Sequence, residues 1–543
     1  MFQLTRIKAA ALALCLLASG AGEVLAQSPI KSPGALPSLG DNSELAAAAE
    51  RRIGQRIAAS IYRDPDYIDD PVLWDYLQSI WQPLMAAARA RGDITPELDE
   101  RFAWELFLIR DRSINAFALP GGYLGVHLGL IGAVSNRDEL AAVLGHELSH
   151  VTQRHISRLI SQQGKTTPWM VGAMILGALA ASKNPQVGTA LITGGQAAAL
   201  QSQLNFSRDM EREADRIGFN VMTDAGFEPR GAGSMFEKLQ QASRFDDNGA
   251  FPYLRSHPLS TERIAAVQAR LQLAATIARE TTSAQRDATA QALTLHSMMA
   301  ARAKVLAEPG VDALRALLED AQRLGSAQVG GSGGGSAGSS TGSSAGGAAT
   351  GSGTVAGGFY GGALAAAKLR EFAVAQALID KLNAVAAGNP GVLRASQLLQ
   401  IEVDLMAGRL PALAIHLTTS PTTQRAELLL RSKALLAAGK AQDVSSSLST
   451  WVASHPKDSG AWQLLAVAYG NQGQTVRAIR ADAEAQVARL DYQAALDRFK
   501  AAQNMMRSNP ASGDFIESSI IDTRARQVES LVKEQALQDK LDR

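Results

Sequence analysis

The 543-residue chain has a single cysteine, Cys15. No intrachain disulfide can form and no cysteine cluster can hold a metal, so any metal site must use histidines and carboxylates. Aromatic residues make up only 5% of the chain, and the abundance of Ala and Leu favours helices over a sheet-rich fold. Neither sign of charge dominates: 53 Lys and Arg face 52 Asp and Glu. No whole-chain field therefore argues for nucleic acid or an anionic membrane surface as partner. Long apolar runs are missing too. The most apolar internal stretch, Trp169 to Ser182, covers 14 residues, short of the roughly 20 needed to cross a bilayer. It is expected to be a buried helix or hairpin, which leaves room for peripheral membrane contact and excludes an integral span.

At the N-terminus a basic start (Arg6, Lys8) precedes a short apolar core from Ala9 to Leu17, and Val24-Leu25-Ala26 offers a small-residue cleavage site. Residues 1–26 read as a signal peptide directing the chain to the periplasm. Cys15 lies inside that core after the bulky Leu14, which argues against a lipoprotein site.

What the chain does have is His146-Glu147-Leu-Ser-His150. A spacing of four puts both imidazoles on one helix face, a turn apart, where they can share one metal ion. Glu147 is placed to reach a water beside that ion. This HExxH pattern is the arrangement by which zinc peptidases activate water, the ion lowering its pKa and the glutamate taking its proton. Leu140, Val143 and Leu144 supply an apolar stripe, and neither Pro nor Gly interrupts the motif. A third ligand is expected from Glu211-Arg-Glu213-Ala-Asp215-Arg. Glu211 and Asp215 share a face while Glu213 turns roughly away. Glu211 would complete a His₂Glu set with one position open, and Asp215 could accept the free ring N–H of a ligating histidine. His257, in Ser256-His257-Pro258, could stabilise a tetrahedral intermediate or occupy the open metal position and keep the site latent. Arg263 could hold the site's carboxylates or the oxyanion. His155 is turned off the face of an unbroken helix and receives no role.

Around these motifs, helices are expected from Ser43 to Tyr62, capped by Asn42 or Ser43, and from Asp70-Pro71 onward. Strands are expected over Phe102–Arg110 and Tyr123–Leu128. Between the strands, Asn115-Ala116-Phe117-Ala118-Leu119-Pro120-Gly121-Gly122 must be an edge or a turn, because Pro and two glycines cannot occupy a central strand. An edge could take an extended peptide as an added strand. The domain reading is a metallopeptidase domain over 43–275, a helical connection over 276–327 and a Gly/Ser-rich flexible linker over 328–358. Helical hairpins over 359–510 and a helical tail over 511–543 follow. Gly408, Gly439 and Gly473 each end an apolar helix at separations of 31 and 34 residues, near the tetratricopeptide period. Trp462, Leu465, Ala466, Tyr469, Gly473, Ala478 and Ala485 follow its spacing.

In their order along the chain, the HExxH motif, the Asn115–Gly122 segment, Glu211–Asp215 and Ser256-His257-Pro258 resemble the HtpX and CaaX-prenyl-protease superfamily of gluzincins. With a signal peptide and C-terminal repeats, the chain looks most like the periplasmic β-barrel assembly-enhancing proteases within it. The resemblance covers roughly residues 43–275 by motif and 360–510 by architecture only. It implies a mainly α fold with a small β-sheet in a gluzincin domain, followed by an α-solenoid of tetratricopeptide-like hairpins. It implies one zinc per chain on His146, His150 and Glu211, Glu147 as general base, Asp215 beside the ligands, and His257 as a reversible zinc-blocking switch. The substrate strand would be formed by Asn115, Ala116, Phe117, Ala118, Pro120 and Gly121. The implied activity is endopeptidase cleavage of unfolded or stalled outer-membrane proteins, with the repeats recruiting substrate or the β-barrel assembly machinery. A different class of function, a chaperone or adaptor with a latent zinc site, keeps the same fold. A prenyl-protein protease is disfavoured by the lack of membrane spans.

Overall fold

Ile53, Ile57 and Ile61 lie on one face of α1 (Ala47–Arg63) and are buried against the sheet. The computed structural model describes residues 46–162, 207–242, 252–277, 283–307, 310–330, 346–410, 424–508 and 515–541, all within one compact unit. The signal peptide, the Asn42 and Ser43 caps and the Trp169–Ser182 stretch lie outside the described residues. Among the described residues no helix is long and apolar enough to cross a membrane.

The helix expected at Asp70-Pro71 is α2 (Pro71–Arg91). Asp70 caps it, its Oδ1 accepting the Leu73 N–H at 2.8 Å, and Pro71 fits the first turn because no N–H is needed there. After the short α3 (Pro96–Arg101), the chain forms β1 (Glu105–Ile109), β2 (Ala116–Leu119) and β3 (Tyr123–His127). β1 is shorter than the expected strand because Phe102 closes α3 and Trp104 has a positive φ of 52°. The strand order is β1-β3-β2, with β1 parallel and β2 antiparallel to β3. β2 is thus an edge, and Gly121 and Gly122, at φ 74° and 85°, make the turn that Pro120 begins. α1 presses on this turn so closely that a Cβ on Gly54 would lie 1.7 Å from the Pro120 carbonyl oxygen.

β3 runs through α4 (Leu128–Ala133) into α5 (Arg137–Thr152), which carries the HExxH motif, and then α6 (His155–Gln162). The Asn136 side chain accepts the Glu139 N–H at 2.9 Å, and Glu139 returns to accept the Ser135 N–H at 2.7 Å. Lys238 closes over the same carboxylate at 2.7 Å. The start of α5 is therefore fixed by a reciprocal cap and by an ion pair from the half-buried Lys238 to the buried Glu139. Among the described residues, the remaining N-terminal helices are α7 (Arg208–Asp224), α8 (Arg230–Ala242), the single turn α9 (Tyr253–Ser256) and α10 (Thr261–Ile277).

The C-terminal part consists of helices throughout the described residues. These are α11 (Ser283–Ala307), α12 (Val311–Gly330), α13 (Gly346–Lys368), α14 (Phe372–Val385), α15 (Pro390–Met406), α16 (Arg425–Ala437) and α17 (Ala441–Ser454). They continue as α18 (Ser459–Asn471), α19 (Thr475–Ala488), α20 (Tyr492–Ser508) and α21 (Phe515–Leu541). Gly408, Gly439 and Gly473 follow α15, α16 and α18 at φ of 68–74°, the left-handed conformation that ends helices. Trp462, Leu465, Tyr469 and Ala485 are buried in the core these hairpins share.

The flexible linker expected over 328–358 is corrected at both ends: residues 328–330 close α12, and residues 346–358 are helical in α13. The small residues that cannot form a hydrophobic core alone let helices approach closely. A Cβ on Gly357 would meet Ser297 Oγ at 2.0 Å, and one on Gly362 would meet the Ala321 Cβ at 2.3 Å. α13 packs between α11 and α12 with Phe359 and Tyr360 fully buried, in a core continuous with that of the N-terminal part. Two adjacent aspartates tie the parts together. Asp70 pairs with Arg302 at 2.6 Å, and Arg302 also reaches Glu402 at 2.7 Å. Asp69 pairs with Arg425 at 2.7 Å, and Arg425 also holds Asp458 at 2.8 Å.

Candidate metal centre

Three separate pieces of chain converge on one buried point. His146 and His150 project from one face of α5, Glu211 comes from the first turn of α7, and His257 ends the single turn of α9. One ligand atom from each lies within 4.8 Å of all the others. His146 Nε2 is 3.0 Å from His150 Nε2, 3.3 Å from His257 Nδ1 and 3.5 Å from Glu211 Oε2. Glu211 Oε1 is 3.4 Å from His150 Nε2 and 2.9 Å from His257 Nδ1. Ligand atoms held tetrahedrally at 2.0–2.1 Å from zinc are themselves about 3.4 Å apart, so these spacings fit a zinc ion. So does Glu147, whose two buried carboxylate oxygens have no hydrogen-bond partner among the described residues. A water activated at the ion would satisfy them.

The carboxylates behind the ligands are anchored. Asp215 Oδ1 lies 3.0 Å from His146 Nδ1, the arrangement that would turn the Nε2 lone pair toward a bound metal. Arg263 forks onto Asp215 through Nε and NH2 at 2.7 and 2.8 Å, and its NH1 reaches Glu211 Oε2 at 2.8 Å. It also donates to the Pro258 carbonyl at 2.8 Å, which fixes the segment that carries His257. Arg263 therefore pairs with both Asp215 and Glu211.

Burial would raise the Glu211 carboxyl and lower the His146 imidazole, but charges and hydrogen bonds reverse both. His257 and His146 hold Glu211 well below the ordinary carboxylate range. Hydrogen bonds to Asp215 and Glu211 push His146 up to about 10. Burial dominates at Glu147 and raises its carboxyl, with His257 and His146 pulling against it. That direction suits a group that must take a proton and later return it.

His155 and Glu213, which received no role from spacing alone, stand directly behind the site. α5 ends at Thr152 and Arg154 adopts φ 54°, so His155 is re-aimed beneath His150. Its Nδ1 lies 2.9 Å from His150 Nδ1 and its Nε2 lies 3.1 Å from Glu213 Oε2. Burial holds the His155 imidazole down, at about 4. Tyr253 was missed as well; its ring stacks on His257 at 4.6 Å. Its proximity to the Ser-His-Pro motif was the only available signal.

β2 lies alongside α5. Asn115 sends its carbonyl to the His127 N–H at 3.1 Å. The ladder alternation then turns the backbone groups of Ala116 and Ala118 away from β3, where Ala116 is fully buried and Ala118 is partly exposed. Phe117 folds inward, its ring occupying the space where Gly125 lacks a Cβ. Pro120 and Gly121 form the turn and not the strand itself.

Residues 75–271 match peptidase family M48. The chain is 33% identical over 232 residues to the β-barrel assembly-enhancing protease of Escherichia coli, covering 42% of this chain and 46% of that one. It is 32% identical over 231 residues to the protein of the same name from Yersinia pestis, again 42% and 46%. A mitochondrial metalloendopeptidase of Schizosaccharomyces pombe is 34% identical over 165 residues, covering 30% and 46%. The match spans about half the length of the curated relatives or less. Every residue that converges on the site lies inside the matched segment, and the chain thus carries a peptidase family M48 domain.

Proposed function

We propose that this chain is a periplasmic zinc endopeptidase that hydrolyses peptide bonds of misassembled or stalled outer-membrane proteins. The observation that carries the reading is the convergence of His146, His150 and Glu211 beside a buried Glu147, whose carboxylate lies 3.4 Å from His257 Nε2 and has no hydrogen-bond partner among the described residues. His146, His150 and Glu211 would hold a zinc ion, which would supply electrophilic activation of water and of the scissile carbonyl. Glu147 takes the proton of the attacking water and delivers it to the leaving amine. Asp215 keeps the His146 lone pair turned inward, and Arg263 keeps Asp215 and Glu211 in place. The edge formed by Asn115 to Ala118 binds substrate as an added strand, through the partly exposed backbone of Ala118. The names of the bacterial relatives support the outer-membrane context, and the signal-like N-terminus supports export. The helical hairpins recruit substrate or the β-barrel assembly machinery through an extended surface.

A second reading, a latent-protease chaperone or adaptor, is favoured by one observation. His257 Nδ1 sits within the ligand cluster, 3.3 Å from His146 Nε2 and 2.9 Å from Glu211 Oε1, where it would serve as a fourth ligand to a bound ion. The two readings separate on Glu147→Gln. For a protease, this variant loses roughly 10²–10⁴-fold in hydrolysis of an unfolded outer-membrane protein and fails to complement a strain lacking the gene. For an adaptor it complements as well as wild type.

A further inference from the structure

We infer that His155 is a positioning residue of the metal centre. It holds His150 in the tautomer that presents the Nε2 lone pair to the cation, and Glu213 fixes His155 in turn. The inference rests on the reading that His146, His150 and Glu211 hold zinc.

The geometry leaves one consistent proton assignment. His150 Nδ1 and His155 Nδ1 are 2.9 Å apart, and both rings are fully buried. Two ring nitrogens at that distance need one proton between them. A ligating Nε2 is unprotonated, so His150 carries its proton on Nδ1 and donates it to His155. His155 then carries its own proton on Nε2, which lies 3.1 Å from Glu213 Oε2. Arg158 NH1 donates to the same oxygen at 2.9 Å. Donation runs in one direction, from His150 through His155 to the carboxylate. The reverse tautomer would set a lone pair against Glu213 and place a proton where the metal must bind.

Backbone and charge both support this role. The positive φ of Arg154 brings His155 under His150, and Arg154 Nε is anchored on buried Glu50 at 3.0 Å. The two ligating imidazoles are therefore oriented differently: His146 by the carboxylate of Asp215, His150 by a neutral ring. A site that already holds Glu147, Glu211 and Asp215 gains orientation at His150 without another negative charge in contact.

The test is zinc affinity of the full chain by chelator competition, alongside melting of the metal-free form, for wild type, His155→Leu, His155→Asn and Glu213→Ala. Loss of an orienting partner weakens metal binding by about 10–100-fold, and that loss is expected for His155→Leu. His155→Asn offers an amide oxygen to the His150 N–H and is expected to recover affinity to within about threefold of wild type. Glu213 is partly exposed, so Glu213→Ala leaves the packing in place, and a loss of about tenfold is expected. His155→Leu with wild-type affinity, or Asn no better than Leu, overturns the inference. Should His155→Leu fail to fold, an unchanged affinity in Glu213→Ala overturns it. A wild type that binds no zinc overturns the metal reading itself, which is distinguishable because no variant can then differ from it.

Discussion

Gly145 and Gly218 meet where α5 crosses α7. A Cβ on Gly218 would lie 2.9 Å from both the carbonyl carbon of Gly145 and the nitrogen of His146. A Cβ on Gly145 would lie 3.1 Å from the Gly218 carbonyl oxygen. The two backbones are in contact, and this contact brings Glu211 and Asp215 within reach of His146. Overpacking such a crossing costs about 1–3 kcal/mol. Gly218→Ala should therefore lower the melting temperature and weaken zinc binding by about tenfold, read by thermal unfolding and chelator competition. Unchanged zinc affinity would show that the crossing does not set the ligand geometry.

His257→Ala removes the fourth group from the ligand cluster while leaving His146, His150 and Glu211 in place. The expected outcome is hydrolysis of an unfolded protein several-fold faster than wild type, with zinc retained. A rate that falls by about 10²-fold or more would instead mark His257 as a stabiliser of the oxyanion.

Asp75 gives a pH dependence to the junction between the N-terminal part and α16. Its Oδ2 accepts the Ala426 N–H at 2.9 Å, and burial pushes its carboxyl up to about 6, against the pull of Arg394 and Arg425 and with the help of Glu427. The folded chain thus holds this proton more tightly than the unfolded chain. Stability from this group is full below about pH 4 and is lost as pH rises through about 6. Asp75→Asn keeps an oxygen for Ala426 and should be more stable than wild type at pH 7.5, on the order of 1–3 kcal/mol. The two chains should converge near pH 4, as denaturant titrations at both pH values would show. An equal difference at both would rule this origin out.

The cluster of His146, His150 and Glu211 was legible in the sequence because it depends on local periodicity. Two histidines at a spacing of four and two acids at a spacing of four each declare a helix face. His155 was illegible for the same reason: its position depends on a break after Thr152 and one left-handed residue, Arg154, which periodicity cannot foresee. Glu213 does point off the Glu211 face, but what it meets there is set by α6. Gly145 and Gly218 carry no chemical signal and matter only through a helix crossing. In the Gly-rich stretch, composition suggested a linker. From Gly346 onward, a sequence without bulk instead lets α13 press against Ser297 and Ala321.

The most direct test is zinc per chain, measured on purified wild type, Glu147→Gln and Glu211→Ala. The account predicts one zinc per chain in wild type and in Glu147→Gln, and loss of the ion in Glu211→Ala, where the third ligand is gone. Wild type without zinc, or Glu211→Ala with a full complement, would contradict it.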